Sequence, residues 1–381
     1  MGSRPDSNRA ARERGEYGAV PNAPSLADLR RYAIRRSLFA ASDLQHAIDT
    51  FGFVQADPIR APARAQDLTL RHRVPGYRSG DLERRYGSLA VEEEFFINYG
   101  FMTPAVHALM HPRTGPAWPA TRRQRAAAIL AFIREKGSAH PREVDEQFAH
   151  GRVTNYWGGS SNATTHLLEL MHYKGMLRVV RRDGGIRVYG VREPAGDSRE
   201  AVDPDARLDA LADVIVRKYA PLPGASLAGF IARLRWGVPQ WRQRIKAAVA
   251  RARHRLAHAR VDGVDWYWPT DEVPSVKEAE GSVRLLAPFD PIVWDRRRFE
   301  LFWGWPYRFE AYTPMAMRKY GYYALPLLWR DAVVGWGNVS VAGGELNVTV
   351  AYVSGKPPRE RLFTRALERE VEGMREFLGV P

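Results

Sequence analysis

The feature that most constrains the fold is an order of elements that occurs twice in the middle of the chain. In each copy, three amphipathic helical segments precede two β-rich runs joined by a short glycine turn. The first copy ends in RVVRRDGGIRVYGV and the second in HARVDGVDWYWP. Gly-Gly and Asp-Gly pairs favour tight hairpins. Three helices and a hairpin predict a winged helix-turn-helix, so we expect two in tandem, at residues 119–198 and 199–276.

The flanking regions predict two further units and a tail. Residues 25–118 contain several short helical segments, one of which we expect to open with a capping box of Ser42 and Gln45. This region is predicted to be a winged-helix-like domain. Residues 277–381 alternate aromatic and polar positions, which predicts an antiparallel, barrel-like β-domain with a closing helix whose apolar residues, Leu362 among them, pack on the sheet. Residues 1–24 are polar and basic and predict a disordered tail. The fold class is therefore α+β.

The charge balance favours a polyanionic partner. The chain has 57 Lys and Arg against 43 Asp and Glu, a formal net charge of +14. Nucleic acid fits this charge, and an anionic membrane surface is the competing interpretation. No apolar run approaches the roughly 18 residues that span a bilayer, and the first residues lack the apolar core of a signal peptide. We expect a monomeric cytoplasmic protein that associates with the nucleoid.

Composition and motifs exclude several chemistries. The chain has no cysteine, which rules out disulfides, thiolate metal sites, iron–sulfur clusters and cysteine nucleophiles. It also has no match to G-x-x-x-x-G-K-[ST], and no G-x-G-x-x-G between a strand and a helix. Nucleotide hydrolysis and dinucleotide chemistry are therefore disfavoured, and we expect no cofactor.

Two basic clusters predict contacts with phosphates. The segment from Pro239 to Arg260 has seven cations and no acid, and the first hairpin is rich in arginine. Both would face DNA in a winged helix, although a solvated helix face that balances charge elsewhere is the alternative. The cations that we predict to bind DNA in these clusters are Arg242, Arg244, Lys246, Arg251 and Arg253 in the helix, and Arg178, Arg181, Arg182 and Arg187 in the hairpin.

The stretch FVQADP places an amide and a carboxylate two residues apart, Gln55 and Asp57. If the stretch is extended, both side chains lie on one face about 7 Å apart. Such a pair can position and deprotonate a water molecule. Glycoside hydrolysis ordinarily uses two carboxylates, but an N7-alkylated purine is already cationic and leaves without protonation. The alternative is that both residues only hydrogen-bond within the turn before Pro58.

Two other candidates have simpler interpretations. His107 and His111 have helical i, i+4 spacing, but no third ligand is evident in the sequence, so we expect two surface histidines and no metal site. The stretch NYWGGSSN, residues 155–162, could meet a phosphate with its backbone, and it is equally explained as a helix entry.

The motif region FVQADPIRAPARAQDLTLRHRV resembles that of the bacterial winged-helix DNA glycosylases of the AlkZ and YcaQ type. Those proteins carry Gln-x-Gln or Gln-x-Asp, and Gln55-Ala56-Asp57 has the second form. The likeness extends to NYWGGSSNATTHLLELMHYKGMLRVVRR and LLAPFDPIVWDRRRFELFWGWPYRFEAYTPMAMRKYGYYALPLLW, and so to most of the chain after residue 25. Two features depart from the family pattern: Asn98 stands where the family has a histidine, and PIRAP comes after the motif.

The resemblance implies a monofunctional DNA glycosylase that needs no metal or cofactor. It implies tandem winged helices and a β-domain around a basic channel, with double-stranded DNA containing alkylated or crosslinked purines as the partner. Gln55 and Asp57 would be catalytic, Arg60 and Arg64 would contact DNA near them, and Asp67 would brace the site. The alternative for Arg64 is an ion pair with a carboxylate within a loop. A winged-helix regulator or architectural protein that binds DNA without cleaving a bond is the alternative, and RNA binding is a further one.

Overall fold

The computed structural model describes residues 23–154, 160–193, 203–274 and 281–381, so the predicted tail and most of NYWGGSSN fall outside the described residues. Within those ranges, buried side chains form three apolar clusters. The largest runs from the N-terminal region through the first three-helix unit to one face of the C-terminal sheet. The second joins the N-terminal region to the second three-helix unit. The third lies on the opposite face of the C-terminal sheet. No helix in the described ranges is long and apolar enough to cross a membrane.

The N-terminal region contains short helices around a small sheet. Its elements are α1 (Leu26–Ser37), α2 (Leu44–Phe51), β1 (Phe53–Gln55), α3 (Ala65–Leu70), α4 (Asp81–Arg84), β2 (Glu92–Phe95), β3 (Tyr99–Met102) and α5 (Pro104–Met110). The strands are antiparallel in the order β1-β3-β2. The expected capping box of Ser42 and Gln45 is wrong by one residue. Asp43 caps α2 through His46 N–H, while Gln45 donates to Asp49.

The first three-helix unit contains α6 (Ala120–Lys136), α7 (Pro141–Phe148), β4 (Arg152–Thr154), β5 (Ser160–Asn162), α8 (Ala163–Tyr173), β6 (Leu177–Asp183) and β7 (Ile186–Val191). The predicted hairpin is confirmed, with β6 and β7 antiparallel. Gly184 and Gly185 form its turn with φ of 58° and 90°, a conformation that side-chain-bearing residues rarely adopt. The pairing of β4 with β5 was not predicted.

The second three-helix unit contains α9 (Pro204–Tyr219), β8 (Leu222–Pro223), α10 (Gly224–Gly237), α11 (Ile245–Arg255), β9 (Ala257–Val261) and β10 (Val264–Trp268). Its hairpin turns at Asp262 and Gly263 as predicted, and β8 joins it to give the order β8-β10-β9. The predicted basic helix is split, because Pro239–Arg244 forms a 3₁₀ turn before α11. The element order of both units agrees with expectation, and their winged-helix arrangement stays a prediction.

The C-terminal region contains β11 (Val283–Leu285), α12 (Pro291–Trp294), α13 (Arg296–Trp303), β12 (Leu325–Trp329), β13 (Ala332–Ala342), β14 (Glu345–Tyr352) and α14 (Arg361–Leu378). The expected barrel-like shape is wrong for the described strands, which form an open antiparallel sheet in the order β11-β12-β13-β14. α14 buries Phe363, Ala366, Met374 and Phe377 against this sheet, whereas Leu362 is 45% exposed, contrary to expectation.

Candidate active site and DNA interface

Strand β1, which carries the FVQ part of the motif, lies between two apolar cores. The Phe53 side chain belongs to the core of the second three-helix unit, and Val54 belongs to the core of the first. Alternation along a strand explains this arrangement. Lys218 of α9 donates its Nζ to the Phe53 carbonyl oxygen and fixes the backbone as well. Truncating Phe53 to alanine would lower the free energy of unfolding by about 3–5 kcal/mol. Because β1 is anchored this firmly, it is a rigid support for the polar residues at its end.

Gln55 ends β1 and is only 9% exposed. Its Oε1 accepts a hydrogen bond of 2.9 Å from Asn98 Nδ2, in the turn between β2 and β3. This contact orients the amide, and no described residue accepts from the amide NH₂, which can therefore donate to a ligand. Gly100 lies opposite Gln55 in the sheet, and a Cβ at Gly100 would collide with the Val54 carbonyl oxygen. The close approach of β1 and β3 therefore requires glycine.

Asp57 lies beyond the end of β1, so the predicted extension through this residue is too long. Its Oδ1 accepts from Ile59 N–H at 2.9 Å, and its own N–H donates to Gln66 Oε1 at 3.3 Å. These are hydrogen bonds within the turn before Pro58, which the sequence offered as the alternative to a catalytic role. Burial raises the pKa of the Asp57 carboxyl above its usual 3.8, and the Ile59 hydrogen bond partly opposes this shift. A half-buried carboxyl with a raised pKa suits proton transfer.

Gln55 lines a solvent-open cavity of about 470 Å³ between the N-terminal region, α10 and the α12–α13 segment. Aromatic and charged side chains from these elements share the wall with it. The residues that line the cavity are Gln55, Asn98, Phe230, Arg233, Phe289, Trp294, Asp295, Arg296 and Arg297. Asp57 does not line it. The Asp57 charge does act on Tyr323, where it adds to burial in raising the pKa of the phenol.

The charged residues of the cavity differ in how freely they can meet a ligand. Arg296 donates to the carbonyl oxygens of Val293 and Pro288 and is committed to the fold. Arg233 and Arg297 are exposed, and the Arg233 guanidinium lies 5.1 Å from the centre of the Trp294 ring. Asp295 caps α13 through Oδ1, whereas its buried Oδ2 has no hydrogen-bond partner among the described residues. The cavity thus combines an amide, aromatic rings, two exposed cations and a carboxylate.

Comparison with known proteins identifies the family. The sequence profile of the family described as "DNA glycosylase AlkZ-like" matches residues 48–377. This chain belongs to the AlkZ-like DNA glycosylase family. It is therefore a DNA glycosylase, an enzyme of DNA repair whose substrate is DNA. Its fold is similar to that of the Streptomyces sahachiroi DNA glycosylase AlkZ, with a TM-score of 0.58 and 14% sequence identity over 94% of this chain and 98% of that chain.

The glycosylase surrounds its motif with arginines that are partly neutralised. Arg60 is exposed, whereas Arg64 forms an ion pair with Glu83 and contacts the turn of the β6–β7 hairpin at Gly185. Asp67 is buried and accepts from the Tyr77 hydroxyl at 2.7 Å, as a bracing residue would. The ion pair with Glu83 agrees with the alternative for Arg64, and it leaves this guanidinium less available to bind phosphate.

The four hairpin arginines of the glycosylase fall into two groups. Arg178 and Arg181 have side chains that are 42% and 51% exposed, although each also has an acidic neighbour. Arg182 is 10% exposed and pairs with the fully buried Glu93, and Arg187 pairs with Glu169 at 2.8 Å. Because a paired and buried guanidinium cannot reach solvent without leaving an unpaired charge behind, Arg182 serves the fold.

The basic segment of the glycosylase is also divided by its partners. α9 presents an acidic row to it, in which Asp205 pairs with Arg244, and Asp209 pairs with Arg251. Asp213 continues the row by pairing with Arg255. Three cations of the segment are exposed and lack an acidic partner among the described residues; they are Arg242, Lys246 and Arg253. The sequence of the segment alone contains no acid, so it could not reveal this division.

The expectation of two surface histidines is wrong. His107 is 5% exposed, and its ring stacks on that of His111 with 4.2 Å between the ring centres. Burial, assisted by the charge of Arg113, lowers the pKa of His111 to about 3, so the imidazole is neutral at pH 7. A carboxylate from Glu94 lies beside both rings, which supplies the third metal-binding group that the sequence did not reveal.

Proposed function

We propose that this glycosylase hydrolyses the N-glycosidic bond of N7-alkylated purines in double-stranded DNA, acts as a monomer and unhooks interstrand crosslinks formed at N7. One observation carries the proposal: the Gln55 amide is held rigidly in the wall of a cavity that also has aromatic rings and exposed arginines. Rings such as Trp294 can stack on a base, and the guanidiniums of Arg233 and Arg297 can meet the flanking phosphates.

The chemistry needs one polar pair at the sugar. An N7-alkylated purine carries a positive charge, so when the bond between C1′ and N9 breaks, the bonding electrons neutralise the base and no acid is required. Positive charge develops on the sugar, and water adds its oxygen to C1′. Gln55 positions this water through its NH₂, and Asp57 stabilises the sugar and accepts the proton of the water. The products are a neutral base and an abasic site.

Asp295 is the carboxylate that lines the cavity itself. It lies in the wall that contains Gln55, and its unpartnered Oδ2 is buried. A carboxylate there favours a cationic base over a neutral one by charge attraction in a partly dry site. We propose that Asp57 acts on the sugar and the water, whereas Asp295 favours the charged, alkylated base.

The shape of the cavity bears on crosslinks. A crosslinked base remains tied to the opposite strand, so it cannot rotate into an enclosed pocket as most glycosylase substrates do. The Gln55 cavity is open to solvent. An open cavity lets the sugar approach Gln55 while the duplex stays outside.

In this proposal, the two three-helix units bind the DNA duplex. Acting as winged helices, they would bind the duplex backbone through their exposed cations. We assign this role to Arg60 near the motif, to Arg178 and Arg181 on the first hairpin, and to Arg242, Lys246 and Arg253 on the basic segment. Binding by such contacts weakens as salt rises, because counterions return to the phosphates.

The experiment is base release from defined duplexes. Oligonucleotides with one N7-methylguanine, with one nitrogen-mustard crosslink and with no lesion are incubated with the protein, and abasic sites are then cleaved with alkali. We expect strand cleavage at the methylated guanine and conversion of the crosslink to separated strands, with no product from the undamaged duplex. Binding without any abasic product would contradict the proposed substrates and favour a DNA-binding role.

A further inference from the structure

Glu94 differs from the two acidic residues before it. Glu92 and Glu93 are buried and each is paired with arginine through its carboxylate. Glu94 is 2% exposed, and its Oε1 receives Phe95 N–H at 2.9 Å and lies 3.2 Å from Arg113 Nη1. Its Oε2 is buried and has no hydrogen-bond partner within the described part of the chain. Burying a carboxylate oxygen without a partner costs free energy of folding. The groups nearest to Oε2 therefore indicate what it could bind.

Those neighbours are imidazoles. His111 Nε2 lies 3.8 Å from Glu94 Oε2, too far for a hydrogen bond, and it too is buried without a partner among the described residues. One ligand atom each from Glu94, His107 and His111 can be chosen so that all three lie within 4.8 Å of one another. A buried carboxylate oxygen and a buried imidazole nitrogen that face each other at this distance, both without a partner among the described residues, leave room for a cation between them.

We propose that Glu94, His107 and His111 bind a divalent metal ion of the zinc class. Two imidazoles and one carboxylate form a donor set that Zn²⁺ uses, with bonds of about 2.0–2.2 Å. A tetrahedral ion with such bonds separates its ligand atoms by roughly 3.4 Å, so the 3.8 Å between Glu94 and His111 requires a small contraction. The His107 ring, which stacks on His111, must also rotate so that its nitrogen points at the same ion. His172 Nε2 lies 4.0 Å from Glu94 Oε2 and is the nearest further imidazole for a fourth position.

The surroundings are compatible with this ion. Arg113 is the cation nearest to the carboxylate, and it engages Oε1, which leaves Oε2 as the ligand atom. Arg192 is neutralised by Glu92 at 2.6 Å. The His111 ring fits its place because Gly175 has no side chain, since a Cβ there would lie 2.7 Å from His111 Nδ1. Because Nδ1 lies on the side of Gly175, Nε2 is the ring nitrogen that faces Glu94.

The ion would have a structural role. It would join β2 to the end of α5, and through His172 to α8, which are distant in sequence. In the sheet, Gly100 of β3 lies between Glu94 of β2 and Gln55 of β1. An ion bound at Glu94 would therefore stabilise the part of the sheet that positions the candidate catalytic amide. Metal binding is measured without DNA, and it is therefore independent of the proposed function.

The test uses the full-length chain without a histidine tag, stripped with a chelator and then loaded with Zn²⁺ or Co²⁺. We expect about one ion per chain by mass spectrometry after gel filtration, a saturable rise in Tm with added Zn²⁺, and a visible Co²⁺ absorption band typical of tetrahedral nitrogen and oxygen ligands. His111→Gln should lose the ion and the rise in Tm. The matched control is His254→Gln, which removes an exposed histidine of α11 and should keep both.

Three results would overturn the proposal. The first is a stripped wild-type chain that takes up neither ion at micromolar concentration, a measurement that does not depend on any variant folding. The second is a folded His111→Gln chain, checked by circular dichroism, that binds as much Zn²⁺ as wild type. An equal loss in His254→Gln would assign the binding to surface histidines and would overturn it as well.

Discussion

Asn98 Nδ2 donates a hydrogen bond of 2.9 Å to Gln55 Oε1 and joins the turn between β2 and β3 to the end of β1. The contact fixes which end of the Gln55 amide is left to meet a ligand. It also gives a role to Asn98, at the position where the resemblance implies a histidine: an imidazole N–H there could donate to the same oxygen.

Removing this donor is expected to slow base release. Asn98→Asp replaces the NH₂ with a carboxylate oxygen that repels Gln55 Oε1. Loss of one such hydrogen bond costs about 0.5–1.5 kcal/mol, so we expect a roughly 2- to 10-fold lower single-turnover rate on N7-methylguanine duplex. Asn98→His keeps a donor and serves as the matched control, with a rate close to wild type. Equal rates in all three proteins would show that the contact does not position Gln55.

The pH dependence of catalysis should follow Asp57. Burial raises the pKa of its carboxyl above 3.8, and the carboxylate is the active form in our proposal. The rate should therefore fall as pH decreases through this raised pKa, about 10-fold per pH unit below it. The measurement is the single-turnover rate from pH 4 to pH 8 after subtraction of spontaneous depurination. A rate that stays constant across this range would contradict a role for the ionised carboxyl.

The cavity arginines should contribute to DNA affinity. Arg297 is exposed at the wall that contains Gln55, and neutralising one phosphate contributes about 0.9 to the slope of log affinity against log salt. Arg297→Ala should reduce the measured slope by roughly that amount. Arg359→Ala removes an exposed arginine that precedes α14 and is the charge-matched control, with an unchanged slope. A slope that changes equally in both variants would assign the effect to net charge.

Some cations of the basic segment should contribute to DNA binding and others to the stability of the fold. Lys246 is exposed, so Lys246→Ala should weaken duplex binding and lower the salt slope without changing Tm. Arg251 instead pairs with Asp209 at 2.8 Å. Arg251→Ala should lower the free energy of unfolding by about 0.2–1 kcal/mol and have a smaller effect on DNA binding. Fluorescence anisotropy at several salt concentrations and thermal unfolding separate the two outcomes. The reverse pattern would contradict the division of this segment.

Local sequence predicted the parts of the fold that local chemistry determines. The two hairpins result from DGG and DG, because glycine there adopts the positive φ that the turns need. The motif also ends near a turn, as Pro58 suggests. The extension through Asp57 was too long because the Asp57 carboxylate forms its own turn with Ile59 N–H.

Contacts between distant segments were beyond the sequence. Asn98 is 43 residues from Gln55, and their hydrogen bond depends on how β1 and β3 align. Glu94 reaches the two histidines for a similar reason, because the fold brings β2 next to the end of α5. The acids that neutralise part of the basic segment come from α9. In each case the residue type was visible in the sequence, but the partner was set by packing.

The most direct test of the account compares Asp57→Asn with wild type under single-turnover conditions on duplex DNA that contains N7-methylguanine. The substitution removes the charge and keeps nearly the same shape, and Asp49→Asn, at an exposed carboxylate of α2, is the matched control for loss of one negative charge and should keep the wild-type rate. The account predicts that Asp57→Asn lowers the rate by about 10²-fold or more while duplex affinity stays unchanged. Base release by Asp57→Asn at the wild-type rate would contradict it.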